Sequence, residues 1–135
     1  MGAWGTGIFE NDDVQDWKEE LLESEGFVFI EETLESVIEE EDYIEVDIAS
    51  NAIGAMEVLA ALQGKPGEEL KNESSYVEGL NEWIETHKGH GKSLLPLAKK
   101  AIKKIKKDSE LKELWEESEN YKDWLKIIKD LKKRL

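Results

Sequence analysis

The sequence predicts an all-α fold: a compact single-domain bundle of six or seven helices, preceded by an ordered Gly/Trp-rich N-terminal segment. Three observations lead there. Apolar residues recur at helical spacing in every apolar segment, glycine and proline punctuate those segments, and no stretch sustains the alternation of a half-buried strand. A length of 135 residues suits one domain spanning 1–135 and lets it bury roughly two-thirds of the surface its unfolded chain exposes. With 39% hydrophobic residues and five Trp, the chain has the material for a core despite its 37% charged content.

The opening sets Trp4, Ile8 and Phe9 among Gly2, Gly5 and Gly7. Such aromatic area is not left in water, so residues 1–9 are expected to pack on the body, with Trp4, Phe9 and Trp17 buried together. Asp12 and Asp13 are placed to cap a first helix, in which Val14, Trp17, Leu21 and Leu22 form the apolar stripe and Gly26 is the stop. Phe27, Ile30, Leu34, Val37 and Ile38 repeat the spacing in a second helix. From Ile44 to Leu62 the residues are apolar on more than one face, which predicts a central buried helix, with its alanines and Gly54 allowing close helix contact. Gln63-Gly64-Lys65-Pro66-Gly67 breaks it, and residues 68–75 read as a loop or a single turn. Val77, Leu80, Trp83 and Ile84 mark a short helix that ends at the glycine-flanked Lys88–Gly91, read as a flexible stretch. Ser93 and Pro96 begin the next helix, Asp108 or Ser109 starts one with Leu111, Leu114 and Trp115, and the last carries Trp124, Ile127, Ile128 and Leu131.

Charge is partitioned along the chain. Residues 1–87 hold 24 Asp/Glu against 3 Lys, and residues 88–135 hold 8 against 15 Lys/Arg, for a net charge of −14. The absence of cysteine excludes disulfides, thiolate metal sites and a cysteine nucleophile. No apolar run approaches a membrane span and the start lacks a signal-peptide pattern, so the cytoplasm is the expected location.

The opening Met-Gly-Ala-Trp-Gly-Thr-Gly-Ile-Phe-Glu-Asn-Asp-Asp with Asp16-Trp17, the Tyr43-Ile44-Glu45 ahead of an Ala-rich helix, and the closing Ser109-Glu110-Leu111-Lys112-Glu113-Leu114-Trp115-Glu116-Glu117 resemble the bacterial DUF4259 family over essentially the whole chain. Trp4, Gly5, Gly7, Phe9, Asn11, Asp12, Trp17 and Trp115 are its structural motif here. The resemblance implies a small stand-alone cytosolic protein of unknown function and supplies no catalytic residues. The lysine run at 99–107 departs from the family look.

The chemistry-bearing residues have bland readings beside sharper ones. Asn11, Asp12, Asp13, Asp16, Glu19 and Glu20 offer oxygen ligands without the spacing of an EF-hand, and helix capping explains them better. His87 and His90 stand three apart beside Glu85, yet the glycines around them favour an exposed loop over a zinc site. G-x-S-x-G, phosphate-loop and HExxH signatures are missing, so no catalytic residue, cofactor or metal is expected. Six lysines at 99, 100, 103, 104, 106 and 107 could meet nucleic acid or lipid, but the net charge argues against both. The expectation is therefore a non-catalytic module, immunity- or inhibitor-like, that binds a basic protein through Glu31, Glu32, Glu35, Glu39, Glu40, Glu41 and Asp42. A small enzyme or ligand-binding domain with a site between helices is the alternative, and intramolecular pairing of the acids with Lys99–Lys107 is the rival account of the charges. Oligomeric state is not legible.

Overall fold

A computed structural model describes residues 5–24, 27–73 and 77–135. Among them run eight α-helices: α1 Asp12–Glu23, α2 Val28–Glu39, α3 Val46–Leu62, α4 Glu68–Lys71, α5 Leu80–Thr86, α6 Leu95–Lys107, α7 Glu110–Glu116 and α8 Tyr121–Arg134, with a 3-10 turn at Lys92–Leu94 before α6. No strand occurs among the described residues. The one helix beyond the expected seven is the four-residue α4, within the segment read as a loop or single turn.

Helix α3 is the axis of the fold. Thirteen of its residues are buried, which is why its sequence is apolar on every side, and α1, α2, α5, α6, α7 and α8 all pack against it. It begins at Val46, two residues later than expected, because another helix supplies its cap. Glu110 of α7 accepts the Val46 N–H at 2.8 Å through Oε1, and its own N–H donates to the Ile44 carbonyl at 2.9 Å. Ile44 thus enters the core from an extended approach.

Gly54 of α3 sits where α1 crosses. A Cβ there would lie 2.9 Å from Val14 Cγ1 and 3.6 Å from Trp17 Cε3. Gly54→Ala is therefore expected to destabilise by about 1–3 kcal/mol through overpacking, despite the roughly 1 kcal/mol helix-propensity gain of alanine over glycine. Urea denaturation checks this, and a Val14→Ala background should shrink the penalty.

Of the three expected caps, one shifts by a residue, one is as expected and one is absent. Asn11, rather than Asp12 or Asp13, caps α1, accepting from Asp13 N at 2.9 Å and Val14 N at 3.4 Å. The aspartates occupy the first turn, where the helix dipole favours them. Ser109 caps α7 as expected, accepting from Lys112 N at 3.1 Å, whereas Ser93 lies inside the 3-10 turn and α6 has no side-chain cap.

Trp4 and Gly26 lie outside the described residues, so the expected burial of Trp4 is not among the findings. Phe9 is fully buried and Trp17 nearly so, and the segment before α1 is tied to the body although it is not helical. Glu69 accepts the Ile8 N–H at 2.7 Å and the Phe9 N–H at 3.1 Å, and Gln15 Nε2 donates to the Phe9 carbonyl at 2.7 Å.

The glycine-flanked stretch read as flexible is instead pinned to the end of α3. Gly89 N donates to Leu62 O at 2.8 Å and Gln63 Nε2 to His90 O at 2.7 Å. Gly89 and Gly91, at φ +86 and +88, make the left-handed turns this requires. His87 is half-buried, stacks on Trp83 at 4.1 Å between ring centroids, and its Nδ1 lies 2.8 Å from Trp83 O. These contacts employ His87 in packing.

Candidate functional site

The residues carrying the N-terminal and C-terminal motifs meet in one place. Gly5, Gly7, Asn11, Ser50 and Trp115 line a cavity of about 20 Å³, with Asn11 Nδ2 donating to Ser50 Oγ at 3.4 Å and Trp115 stacked on Trp124 at 6.3 Å. That volume holds about one water molecule and no organic ligand. The motif is therefore a packing device that docks the segment before α1 onto α3, α7 and α8.

Larger concave sites lie elsewhere. One, of about 370 Å³, is bordered by Gly67, Glu69, Lys71, Lys126, Asp130, Glu57 and Arg134. Its charged centre is self-satisfied. Arg134 forks onto Glu57 with Nη1 to Oε2 at 2.7 Å and Nη2 to Oε1 at 2.9 Å, and Gly67 N donates to the same Oε2 at 3.0 Å. Arg134 also reaches Asp130 Oδ2 at 2.8 Å and the Lys65 carbonyl at 3.1 Å. Burial pushes the Glu57 carboxyl above its ordinary range, although Arg134 and the Gly67 N–H pull it the other way. With its oxygens bonded to three N–H groups, Glu57 ties α3 to α8 and to the loop after α3, which leaves about one of the roughly four acceptor sites of a carboxylate.

The acidic residues singled out in the sequence lie on α2 and the loop that follows. Glu31, Glu32, Glu39, Glu41 and Asp42 are exposed, and Glu35 and Glu40 are half-buried. Glu31, Glu35 and Glu39 follow one another at four-residue intervals, and the Glu35 carboxyl is raised above its usual value by partial desolvation, then by Glu31 and Glu39. The lysine-rich α6 packs beside α2, yet among the described residues no ion pair joins Lys99–Lys107 to Glu31–Asp42. Lys104 instead points its Nζ at the carbonyls that end α2, donating to Val37 O at 2.9 Å, Ile38 O at 3.2 Å and Glu40 O. A cation at a helix C-terminus complements the dipole and leaves the carboxylates to solvent.

Beside this ridge, α1, α2 and α3 enclose a groove of about 280 Å³ that sequence reading missed. From α1 come Asp13, Asp16, Trp17 and Glu20, from α2 Phe29, Thr33 and Ser36, and from α3 Asp47, Ile48 and Asn51. The Trp17 and Phe29 rings stack at 5.6 Å, and Trp17 Nε1 donates to Thr33 Oγ1 at 2.8 Å. Asp13 is raised above the usual carboxylate value by desolvation first, then by Asp47, Asp16 and Asp12. Asn51 Oδ1 is sealed from solvent without a hydrogen-bond partner among the described residues. The acidic triplet of α1 was visible in the sequence, but Asp47 and Asn51 join it only through the packing of α3 across α1.

Among the described residues, no three Asp, Glu or His side chains gather closely enough to hold a metal ion, and no helix is long and apolar enough to cross a membrane. Comparison with curated proteins and with solved structures gave no match. The model of DUF4259, a domain of unknown function, matches residues 2–126 of the 135-residue chain, and the protein belongs to that family.

Proposed function

We propose that this protein is a non-catalytic cytoplasmic module that binds a basic protein through the acidic face built by α2, residues 40–42 and the adjoining groove, in the manner of an immunity protein or inhibitor. One observation carries the reading: of the large hydrophobic residues exposed among those described, Ile38 at 36% lies between the acids of this stretch, Val28 at 68% opens α2 ahead of them and Tyr43 at 39% directly follows Asp42. Apolar side chains set among charges are the composition of a protein-binding patch. The carboxylates around them raise the encounter rate with a basic partner and disfavour acidic ones.

The alternative, a small enzyme or ligand-binding domain, draws on the 370 Å³ cavity. It is the weaker reading because the groups a substrate would need, Glu57 and Arg134, already bond one another and the backbone.

The test is a complex with a basic protein from the native host, measured over a salt series. Affinity should fall as salt rises, and the combined substitution Glu39→Gln, Glu40→Gln, Glu41→Gln should weaken binding by about tenfold, on the order of 1.4 kcal/mol, with an unchanged melting curve. Salt-independent binding, indifference to that triple variant, or recovery solely of a small molecule that the protein converts would remove the reading.

A further inference from the structure

We propose that the acidic face of α2 and the lysine face of α6 form one self-complementary surface, on which a second copy of this chain docks about a two-fold axis. The inference goes beyond the basic-partner reading and stands apart from it, because both sets of charges come from this chain.

The two helices lie side by side and run in the same direction. They start together, since a Cβ at Gly91, ahead of α6, would lie 3.3 Å from Cε1 of Phe27, ahead of α2. They end together, where Lys104 meets the Val37, Ile38 and Glu40 carbonyls. Residues 31–42 hold seven acids and no cation, and α6 holds six lysines and no acid. Lys104 is spent on the α2 carbonyls, while Lys99, Lys100, Lys103, Lys106 and Lys107 form no ion pair among the described residues. Lys100 and Lys107 stand four before and three after Lys104, which places them on the side of α6 turned to α2. On α2, Phe29 and Thr33 face α1 through their contacts with Trp17. Glu31 and Glu35 follow them by two residues, about 200° around the helix, and so stand on the opposite side, towards α6. An acidic row and a basic row thus border one seam without pairing across it.

Symmetry selects the second copy and its orientation. A two-fold axis in the contact plane, running between α2 and α6 and along them, lays each copy's α2 on the other's α6; an axis across the helices would stack α2 on α2, like charge on like. Rotation about an axis along the helices also keeps the height of every residue. Lys104 is level with residues 37–40, so Lys100 falls level with Glu35 of the other copy and Lys107 with its Glu40, Glu41 and Asp42. Ile38 stands three residues after Glu35, on the same side of α2, and is exposed. Near the axis it meets its own counterpart, an apolar centre between charged rows. The net charge of −14 opposes association at long range, but a screening length of about 8 Å at physiological ionic strength confines that repulsion while the opposed rows meet in contact. Helices of 12 and 13 residues run about 18–20 Å, a patch at the low end of stable interfaces, so the dimer is weak and forms with rising concentration.

The test is sedimentation equilibrium of the whole chain at physiological ionic strength over a broad concentration series, with two charge-reversed variants. The parent should pass from monomer to dimer and stop there. Glu35→Lys with Glu39→Lys makes the whole surface basic, and Lys100→Glu with Lys107→Glu makes it acidic. Each should weaken self-association by at least about tenfold, and an equimolar mixture of the two should form a one-to-one heterodimer, because every reversed row then meets its opposite. Pairing within one chain predicts no such rescue. Circular dichroism checks that the variants keep their helices; where a reversal unfolds the chain, the matching Gln substitutions should still weaken the dimer. A parent that stays monomeric at every concentration, a dimer indifferent to both reversals, a mixture that does not associate, or assembly that grows past two copies would each overturn the proposal. The two readings fail separately. A monomeric chain that binds a basic protein of the host sinks the dimer alone, and a dimer with rescue by mixing but no basic-protein complex at any salt sinks the partner reading alone.

Discussion

Replacing Arg134 by methionine is expected to destabilise the folded chain by about 3–5 kcal/mol at neutral pH, the usual loss when one partner of a buried ion pair is removed. The Glu57 side chain is 3% exposed and that of Arg134 15%, so the carboxylate has little contact with water to offset loss of the guanidinium. What remains in the variant is a buried carboxylate with the Gly67 N–H as its neighbour. The pH dependence follows from the sign of the shift. Burial already holds the Glu57 carboxyl above its ordinary value of 4.5 with Arg134 in place, and losing the cation raises it further. A carboxyl whose folded pKa exceeds its unfolded value costs stability wherever it is ionised, and the cost is relieved as pH falls through the folded value. The Arg134→Met deficit should therefore be largest at neutral pH and above, and shrink on acidification from neutrality towards the ordinary carboxyl range. Adding Glu57→Gln should recover much of it at pH 7, because a neutral amide replaces the stranded charge. Urea denaturation at several pH values measures both effects. A deficit that is flat with pH and unrelieved by Glu57→Gln would mean that Arg134 acts through the packing of its stem or through Asp130 and Lys65.

Little of that linkage was legible beforehand. The central helix could be read because Ala, Ile and Leu on all faces from Ala49 to Leu62 have one physical meaning, enclosure by other helices. The same run passes through Glu57 without saying what its charge meets, and it is a buried side chain inside α3 whose partner lies 77 positions away. Local patterns carry no trace of a contact at that separation. Lys104 was equally hidden. In a series of six lysines it looks like its neighbours, and only the crossing of α6 behind α2 brings it to the Val37, Ile38 and Glu40 carbonyls. The groove was half readable. Asp13, Asp16 and Glu20 fall on one face of a helix by spacing alone, but Thr33, Asp47 and Asn51 required the arrangement of three helices. A usable signal did exist in Asn51, a polar residue within the apolar run of α3 and one turn from Asp47, which marks the side of that helix left open to solvent. Charge partition was plain in the sequence, and its rival explanation, lysine on carboxylate, needed side-chain positions to weigh.

Phe9→Ala is expected to cost about 3–5 kcal/mol, the range for emptying a fully buried aromatic site, although Phe9 belongs to a segment with no helix of its own. The argument is one of enclosure on all sides. The ring has no exposed surface, its N–H is held by Glu69 from α4, and its carbonyl is held by Gln15 from α1. The backbone around it therefore cannot follow the truncated side chain inward to fill the void, which places the loss in the upper half of that range. Glu69→Ala separates the two contributions. It leaves the ring in place but strips the Ile8 and Phe9 N–H groups of their acceptor, for a loss of about 1–3 kcal/mol. If the segment is a core element, Phe9→Ala and deletion of residues 2–9 should both lower the melting temperature by many degrees, with the deletion at least as severe, while Glu69→Ala lies between them and the parent. An unchanged melting curve for the deletion would make the segment a dispensable tail, and the burial of Phe9 would then contribute nothing to the stability of the helices it covers.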